Sequence, residues 1–172
     1  EIAILLLLGA ARRVTEGRKW VVKKNWSWSA DFLLGKQLTG KSLGILGMGR
    51  IGQVVAKRAK SFGMNVVAWS RNLSADQADQ LGITRCENLQ ELATVSDVVS
   101  IHVSSTSETE KLIDEQFLSS MKDNAIFINT SRGKVVDEIA LADAARSKKL
   151  KIGLDVYEQE PSSGVNTFTS NI

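Results

Sequence analysis

The sequence has a single cysteine, Cys86, so no disulfide can form within the chain, and a reducing compartment (the cytoplasm) suits it. With no thiol partner and no obvious base, Cys86 reads as structural. Histidine is as scarce, His102 being the only one, and no metal site is expected. An apolar run long enough to span a bilayer is also lacking. IAILLLLGA at 2–10 is too short, and its basic pair, Arg12 and Arg13, follows it instead of preceding it as in a signal peptide. This excludes a membrane role from the expectations. The basic excess is small: the formal net charge is +3 and the pI about 9.1. The basic residues gather at 12–13, 18–19, 23–24 and in KKLK at 148–151, as on a solvated surface that attracts anionic substrates or phosphates at most. Nucleic acid would want a denser stripe with interleaved contact residues, and none is expected as a partner. The chain starts on Glu1, with no initiating Met, and reads as an excised or processed piece.

The 172 residues suit one α/β domain, or one and a fraction, and 43% hydrophobic content is enough for a core. Residues 2–14 read as a helix closed by the two arginines. It is apolar on nearly all sides, so it must pack on more than one face. Residues 16–40 are less regular and hold Trp20, Trp26, Trp28 and Phe32. Those aromatics are either a wrap over the neighbouring helix or a subunit interface, where tryptophan is enriched.

From Lys41 onward, strand and helix alternate. Strands are expected at 42–47, 65–69, 97–103, 124–129 and 151–157. Helices are expected at 50–62, 74–81, 88–94, 114–121 and 136–149. The first of these has Ile51, Val54, Val55, Ala59 and Phe62 as apolar positions and ends at Gly63; the second opens at Ser74 and ends at Gly82. Residues 162–172 form an irregular tail with no clear period. The strands are continuous apolar runs, as in a parallel sheet covered by helices on both faces. Right-handed crossovers then make a doubly wound, Rossmann-type α/β domain behind an apolar first helix. Its ligand crevice lies at the carboxyl ends of the strands, in loops starting near 47, 70, 103, 129 and 155.

The first of those loops carries Gly47, Gly49 and Gly52, a G-x-G-x-x-G between a buried strand and an amphipathic helix. Gly47 permits the tight turn, Gly49 lets backbone approach a pyrophosphate, and Gly52 lets helix and strand pack closely. The phosphates then meet N–H groups at the helix start. The lysine and following Ser or Thr of an ATP-binding loop are missing. Residues 41–161 are thus expected to be a dinucleotide-binding domain, preceded at 1–40 by a helix and a Trp-rich interface segment. The second strand ends in WSRN, where an NAD site usually offers an acid to the ribose hydroxyls. Ser70 stands in that place, with Arg71 and Asn72 after it. Serine accepts a 2′-phosphate and arginine pairs with it, so NADP(H) is the preferred cofactor, with NAD(H) possible.

Three later loops bear on chemistry. His102 sits at a strand end facing the crevice. Asn129, Thr130, Ser131 and Arg132 close the fourth strand, with Arg132 suited to bidentate pairing with a carboxylate. Asp155 ends the fifth strand and Glu160 lies just beyond; an acid there could orient a histidine base or bind a nicotinamide amide.

Three segments in order, GKSLGILGMGRIGQVVAKRAKSFGMNVVAWSR, NAIFINTSRGKVVDEIAL and GLDVYEQEP, resemble the D-isomer-specific 2-hydroxyacid dehydrogenases, over residues 2 to about 161. The resemblance implies an oxidoreductase that transfers hydride between NAD(P)H and a small 2-keto or 2-hydroxy acid. It implies that Arg132 binds the substrate carboxylate and polarises its carbonyl, and that Glu160 pairs with a catalytic histidine. It puts Asp155 near the nicotinamide carboxamide and Arg50 and Ile51 in the pyrophosphate loop. His102, Val103 and Ser104 then pass beneath the adenosine, with Thr106 and Thr109 in the same motif, so His102 is not the base. Two departures stand out: Ser104 and Ser105 where the family commonly has proline and leucine, and Ser70 in place of the acid. The family's catalytic histidine lies after the fifth strand, in a segment beginning with proline and histidine. The chain reaches Ile172 without it and without the front part of a substrate domain, so cofactor binding without useful turnover is expected of this piece. The resemblance further implies a homodimer through residues 2–35. The alternative is a dinucleotide-sensing interaction protein, like co-repressors of similar fold, without physiological turnover.

Overall fold

The computed structural model describes residues 1–160, 170 and 172. The expected tail at 162–172 therefore lies outside the described residues, apart from Ser170 and Ile172. Two helices come first, α1 (Ile2–Ala11) and α2 (Val14–Val22). A sheet domain follows, with β1 (Ser42–Leu46), α3 (Arg50–Ser61), β2 (Asn65–Trp69), α4 (Ala75–Leu81) and β3 (Thr84–Arg85). It continues with α5 (Leu89–Val95), β4 (Val98–Ile101), α6 (Glu115–Ser120), β5 (Ile126–Asn129), α7 (Glu138–Ser147) and β6 (Lys151–Leu154). All described pairings are parallel, in the order β3-β2-β1-β4-β5-β6. The order reverses at β1, which leaves a crevice between the β1 and β4 loops, the place where ligands bind in open α/β sheets.

Alternating side chains of the strands divide the core into two layers. Leu43 and Ile45 of β1, Val98 of β4 and Ile126 and Ile128 of β5 pack with Leu7, Val55, Ala59 and Ala78. Leu46, Val99, Ile101 and Phe127 face the other way, onto Leu92, Phe117, Leu118 and Leu141. This is the helix-sheet-helix arrangement that continuous apolar strands require. Gly44 allows one close approach: a Cβ there would lie 2.1 Å from Ser96 Oγ at the end of α5.

Four sequence expectations are corrected. The helix expected at 2–14 ends at Ala11, because Arg13 adopts a left-handed conformation (φ 55) and the chain turns into α2. The stretch read as irregular from residue 16 is thus helical through Val22. A sixth strand, β3, was not expected; two residues are too few to show a period. In α3 the buried residues are Gly52, Val55, Ala56 and Ala59, whereas Ile51, Val54 and Phe62 are exposed. Small residues face the sheet there because the helix lies close to it.

Helix α1 packs on β5, β6 and α3 through Ala3, Leu7 and Ala11. Its opposite side shows Leu5, 64% exposed, and Ile2 to solvent. Trp20 meets Phe32 edge-to-face at 4.9 Å, but Trp26 and Trp28 are 89% and 92% exposed and do not wrap the helix.

Candidate dinucleotide and substrate site

The glycine loop shows a separate physical reason for each glycine. Gly47 has φ 99, and a Cβ on it would lie 2.6 Å from the His102 carbonyl oxygen. The β4 loop thus runs directly over the β1 turn, held there by the His102 N–H, which donates to the Leu46 carbonyl at 2.7 Å. A Cβ on Gly52 would lie 2.1 Å from the Gly47 carbonyl oxygen, so α3 also abuts the turn. Gly49 differs: a Cβ there would meet nothing within 4 Å. It is the N-cap of α3, and no side chain caps that helix start. By contrast α4, α5, α6 and α7 are each capped by their own Ser74, Asn88, Asp114 or Asp137. An exposed, uncapped start on a 12-residue helix, with open space before it, leaves N–H groups free for a phosphate. Arg50 and Ile51 form its exposed first turn.

Beside this turn lies a cavity of about 430 Å³. Gly47, Gly49, Ser70, Arg71 and Asn72 line one side, and His102, Val103, Ser104 and Thr109 the other. A second hollow, of about 490 Å³, opens between Gly49, Ser70, Asn72 and the face of α4. The β4 loop is braced internally. Thr109 is buried; its hydroxyl donates to the Ser104 carbonyl at 2.7 Å and accepts from the Thr106 N–H at 2.8 Å. His102 Nε2 pairs with Ser100 Oγ at 2.9 Å, and burial pushes the imidazole pKa down to about 4. A neutral, hydrogen-bonded ring suits a wall under a base and does not suit a proton shuttle near neutral pH.

The second half of the site is the pair of loops after β5 and β6. Asn129 is buried, and its side chain is spent on its own loop. Its Oδ1 accepts from the Ser131 N–H at 3.0 Å and the Ser131 hydroxyl at 2.9 Å, and its amide donates to the Arg132 carbonyl at 3.0 Å. Asn129 thereby shapes the turn Thr130–Ser131–Arg132 and sets up Arg132, whose guanidinium is exposed and donates to the Ser131 carbonyl at 2.6 Å. The next residue, Gly133, has no room for a side chain: a Cβ would lie 1.8 Å from the Tyr157 carbonyl oxygen. The Arg132 turn and the segment that carries Asp155 and Glu160 are packed backbone to backbone. Asp155 is exposed, with its N–H on the Asn129 carbonyl at 3.0 Å. Glu160 is exposed and accepts from the Tyr157 N–H at 2.8 Å.

Two residues that the motifs did not single out hold this arrangement together. Glu138, buried at the start of α7, accepts from the Glu158 N–H at 2.5 Å. Lys111 reaches Asp137 at 3.3 Å and Glu158 at 3.5 Å, joining the β4 loop to the β6 loop. Lys111 lies 26 residues before Asp137, and Glu158 lies 20 after Glu138, so no spacing pattern joins them, and an acid in line with Leu141 and Ala142 of α7, Glu138, was the one signal in the sequence.

An uncapped helix start behind a close-packed glycine turn, at the switch point of a parallel sheet, defines a dinucleotide-binding α/β domain. Comparison with known proteins is more specific. Residues 4–171 match the family of D-isomer specific 2-hydroxyacid dehydrogenases, NAD binding domain, and the chain belongs to that family. It is 44% identical over 164 residues to a glyoxylate reductase of Korarchaeum cryptofilum, covering 94% of this chain and 49% of that protein. It is 40% identical over 167 residues to a D-3-phosphoglycerate dehydrogenase of Archaeoglobus fulgidus, covering 96% of this chain and 31% of the relative. Among solved structures, a glyoxylate reductase from Paecilomyes thermophila superposes with a TM-score of 0.83 at 40% identity, covering 94% of this chain and 48% of the other. The chain therefore spans about half the length, or less, of these relatives. No helix among the described residues is long and apolar enough to cross a membrane.

Proposed function

We propose that this chain is the cofactor domain of an oxidoreductase that interconverts a small 2-keto acid and its D-2-hydroxy acid with NADP(H), or less favourably NAD(H). The observation that carries the reading is the uncapped start of α3 at Gly49, facing open space. The free N–H groups there would hold the pyrophosphate, the cavity between Ser70–Asn72 and His102–Ser104 would take the adenosine, and Asp155 would meet the nicotinamide amide. A nicotinamide held there would supply the hydride to the substrate's C2 or take it from that carbon. Arg132 binds the substrate carboxylate and polarises the adjoining carbonyl, and Thr130 and Ser131 complete that turn on the cofactor side. Glu160 orients a histidine that exchanges the proton at the substrate oxygen. His102, neutral and held by Ser100, is not that group. Ser70 and Arg71 support the preference for the phosphorylated cofactor, because neither repels a 2′-phosphate and arginine pairs with one.

The exposed apolar residues of the 2–35 segment support a homodimer through it, since Leu5, Trp26 and Trp28 are each left largely in solvent by a monomer. The single buried thiol supports a cytoplasmic setting. No observation favours a co-repressor-like sensor without turnover. The test is initial-rate measurement on the whole protein with NADPH and NADH across glyoxylate, hydroxypyruvate and pyruvate. Turnover of at least one, with NADPH favoured, is expected. A preference for NADH of about tenfold or more would reverse the reading of Ser70 and Arg71.

A further inference from the structure

Arg71 has a partner at the cavity mouth. Its Nη1 forms an ion pair with Oε2 of Glu108, which comes from the β4 loop on the opposite wall. Both side chains are about two-thirds exposed, at 65% and 66%, and both line the same cavity. Glu108 does not ride on a loose segment. Thr109 beside it is buried and bonded to Ser104 and Thr106, and the Lys111 N–H donates to the Lys134 carbonyl at 2.9 Å. The carboxylate thus projects from a braced backbone toward the guanidinium.

We propose that Glu108 is a specificity-determining residue for the dinucleotide, because its carboxylate competes with a ribose 2′-phosphate for Arg71. The proposal rests on the NADP(H) reading above. A 2′-phosphate carries more negative charge than a carboxylate and takes the guanidinium fork. Glu108 is then left without its cation and next to a like charge, which costs affinity for the phosphorylated cofactor alone. A 2′-hydroxyl starts no such contest: Arg71 stays on Glu108, and the pair spans the mouth of the adenosine cavity. Glu108 therefore narrows the preference that Ser70 and Arg71 create. Exposure keeps the effect modest and sensitive to salt.

The experiment is a set of dissociation constants for NADPH and NADH, measured by calorimetry on the full chain at low and high salt. The proteins are the wild type, Glu108→Gln, Arg71→Ala and the double variant. Glu108→Gln is expected to raise the ratio of NADPH to NADH affinity by about threefold to tenfold at low salt, less at high salt. In the Arg71→Ala background the same change is expected to have a much smaller effect. An unchanged or lowered ratio in Glu108→Gln, with Arg71→Ala still weakening NADPH, overturns the role of Glu108 and leaves the NADP(H) reading intact. An equal gain with and without Arg71 overturns the competition. Loss of any Arg71→Ala effect on NADPH removes the cofactor reading and this proposal with it.

Discussion

His102 shows how burial sets the chemistry of one residue. Its pKa falls from 6.5 to about 4 because the folded protein desolvates the charged ring. The unfolded chain therefore binds more protons between those two values. The stability contributed by the neutral ring is fully present above pH 6.5 and is lost as pH falls toward 4. The loss amounts to at most about 3 kcal/mol. Urea unfolding of the wild type should show the midpoint dropping over that window, and His102→Asn should flatten the drop. Asn129 is a second single-residue case. Its three side-chain bonds hold the Arg132 turn, so Asn129→Ala should cost about 1–3 kcal/mol and raise the KM for a 2-keto acid more than it lowers kcat. Asn129→Asp keeps the two acceptor bonds from Ser131 and loses the donation to the Arg132 carbonyl, and should fall between. An Asn129→Ala enzyme with an unaltered KM would remove the positioning role.

At the scale of the element, the glycine turn and the helices divide into parts that serve the fold and parts left over from it. Gly52 and Gly49 are three residues apart, yet one has a carbonyl against it and the other has open space. Gly52→Ala should lower stability by about 1–3 kcal/mol, since the Gly47 carbonyl must give way. Gly49→Ala should leave the unfolding midpoint nearly unchanged and weaken nucleotide binding by about tenfold or more, because the added methyl stands where phosphate approaches. Equal losses of stability in the two variants would show that Gly49 serves the turn alone. Helix α4 gives the contrasting case. Ser74 accepts from the Gln77 N–H while Gln77 accepts from the Ser74 N–H, a closed capping box. Ser74→Ala should cost about 1 kcal/mol in thermal unfolding and leave nucleotide affinity within about twofold. Both helix starts were legible in the sequence, from Ser74 opening SADQADQL and from glycines after a buried strand.

For the whole molecule, the first segment is the part whose apolar side chains the fold leaves uncovered. Helix α1 buries Ala3, Leu7 and Ala11 and turns Leu5 outward, and the tryptophans 26 and 28 stand almost fully in solvent. Sedimentation of the protein should therefore give a dimer. Leu5→Glu combined with Trp26→Ala should shift it to monomer while the Rossmann sheet stays folded, as read by far-UV circular dichroism. A wild-type monomer at tens of micromolar would remove the dimer reading.

The apolar runs from residue 42 onward, the glycine spacing and the cap residues determined by themselves that this chain is a parallel, doubly wound sheet with a phosphate-binding turn. Each of those signals is local: a strand buried on both faces must be apolar throughout, and a turn pressed against a neighbouring loop must be glycine. Only the tertiary structure decided which apolar residues are buried. It sent Ile51, Val54, Trp26 and Trp28 outward and seated Ala56 and Ala59 against the sheet. It alone brought Glu108 to Arg71 across 37 residues of sequence and Glu138 to the Glu158 backbone across 20. The physical reason is common to all of these. Periodicity reports which residues share a side of an element, whereas burial and contact between elements depend on how those elements pack against one another, and no local pattern encodes which side chains then meet.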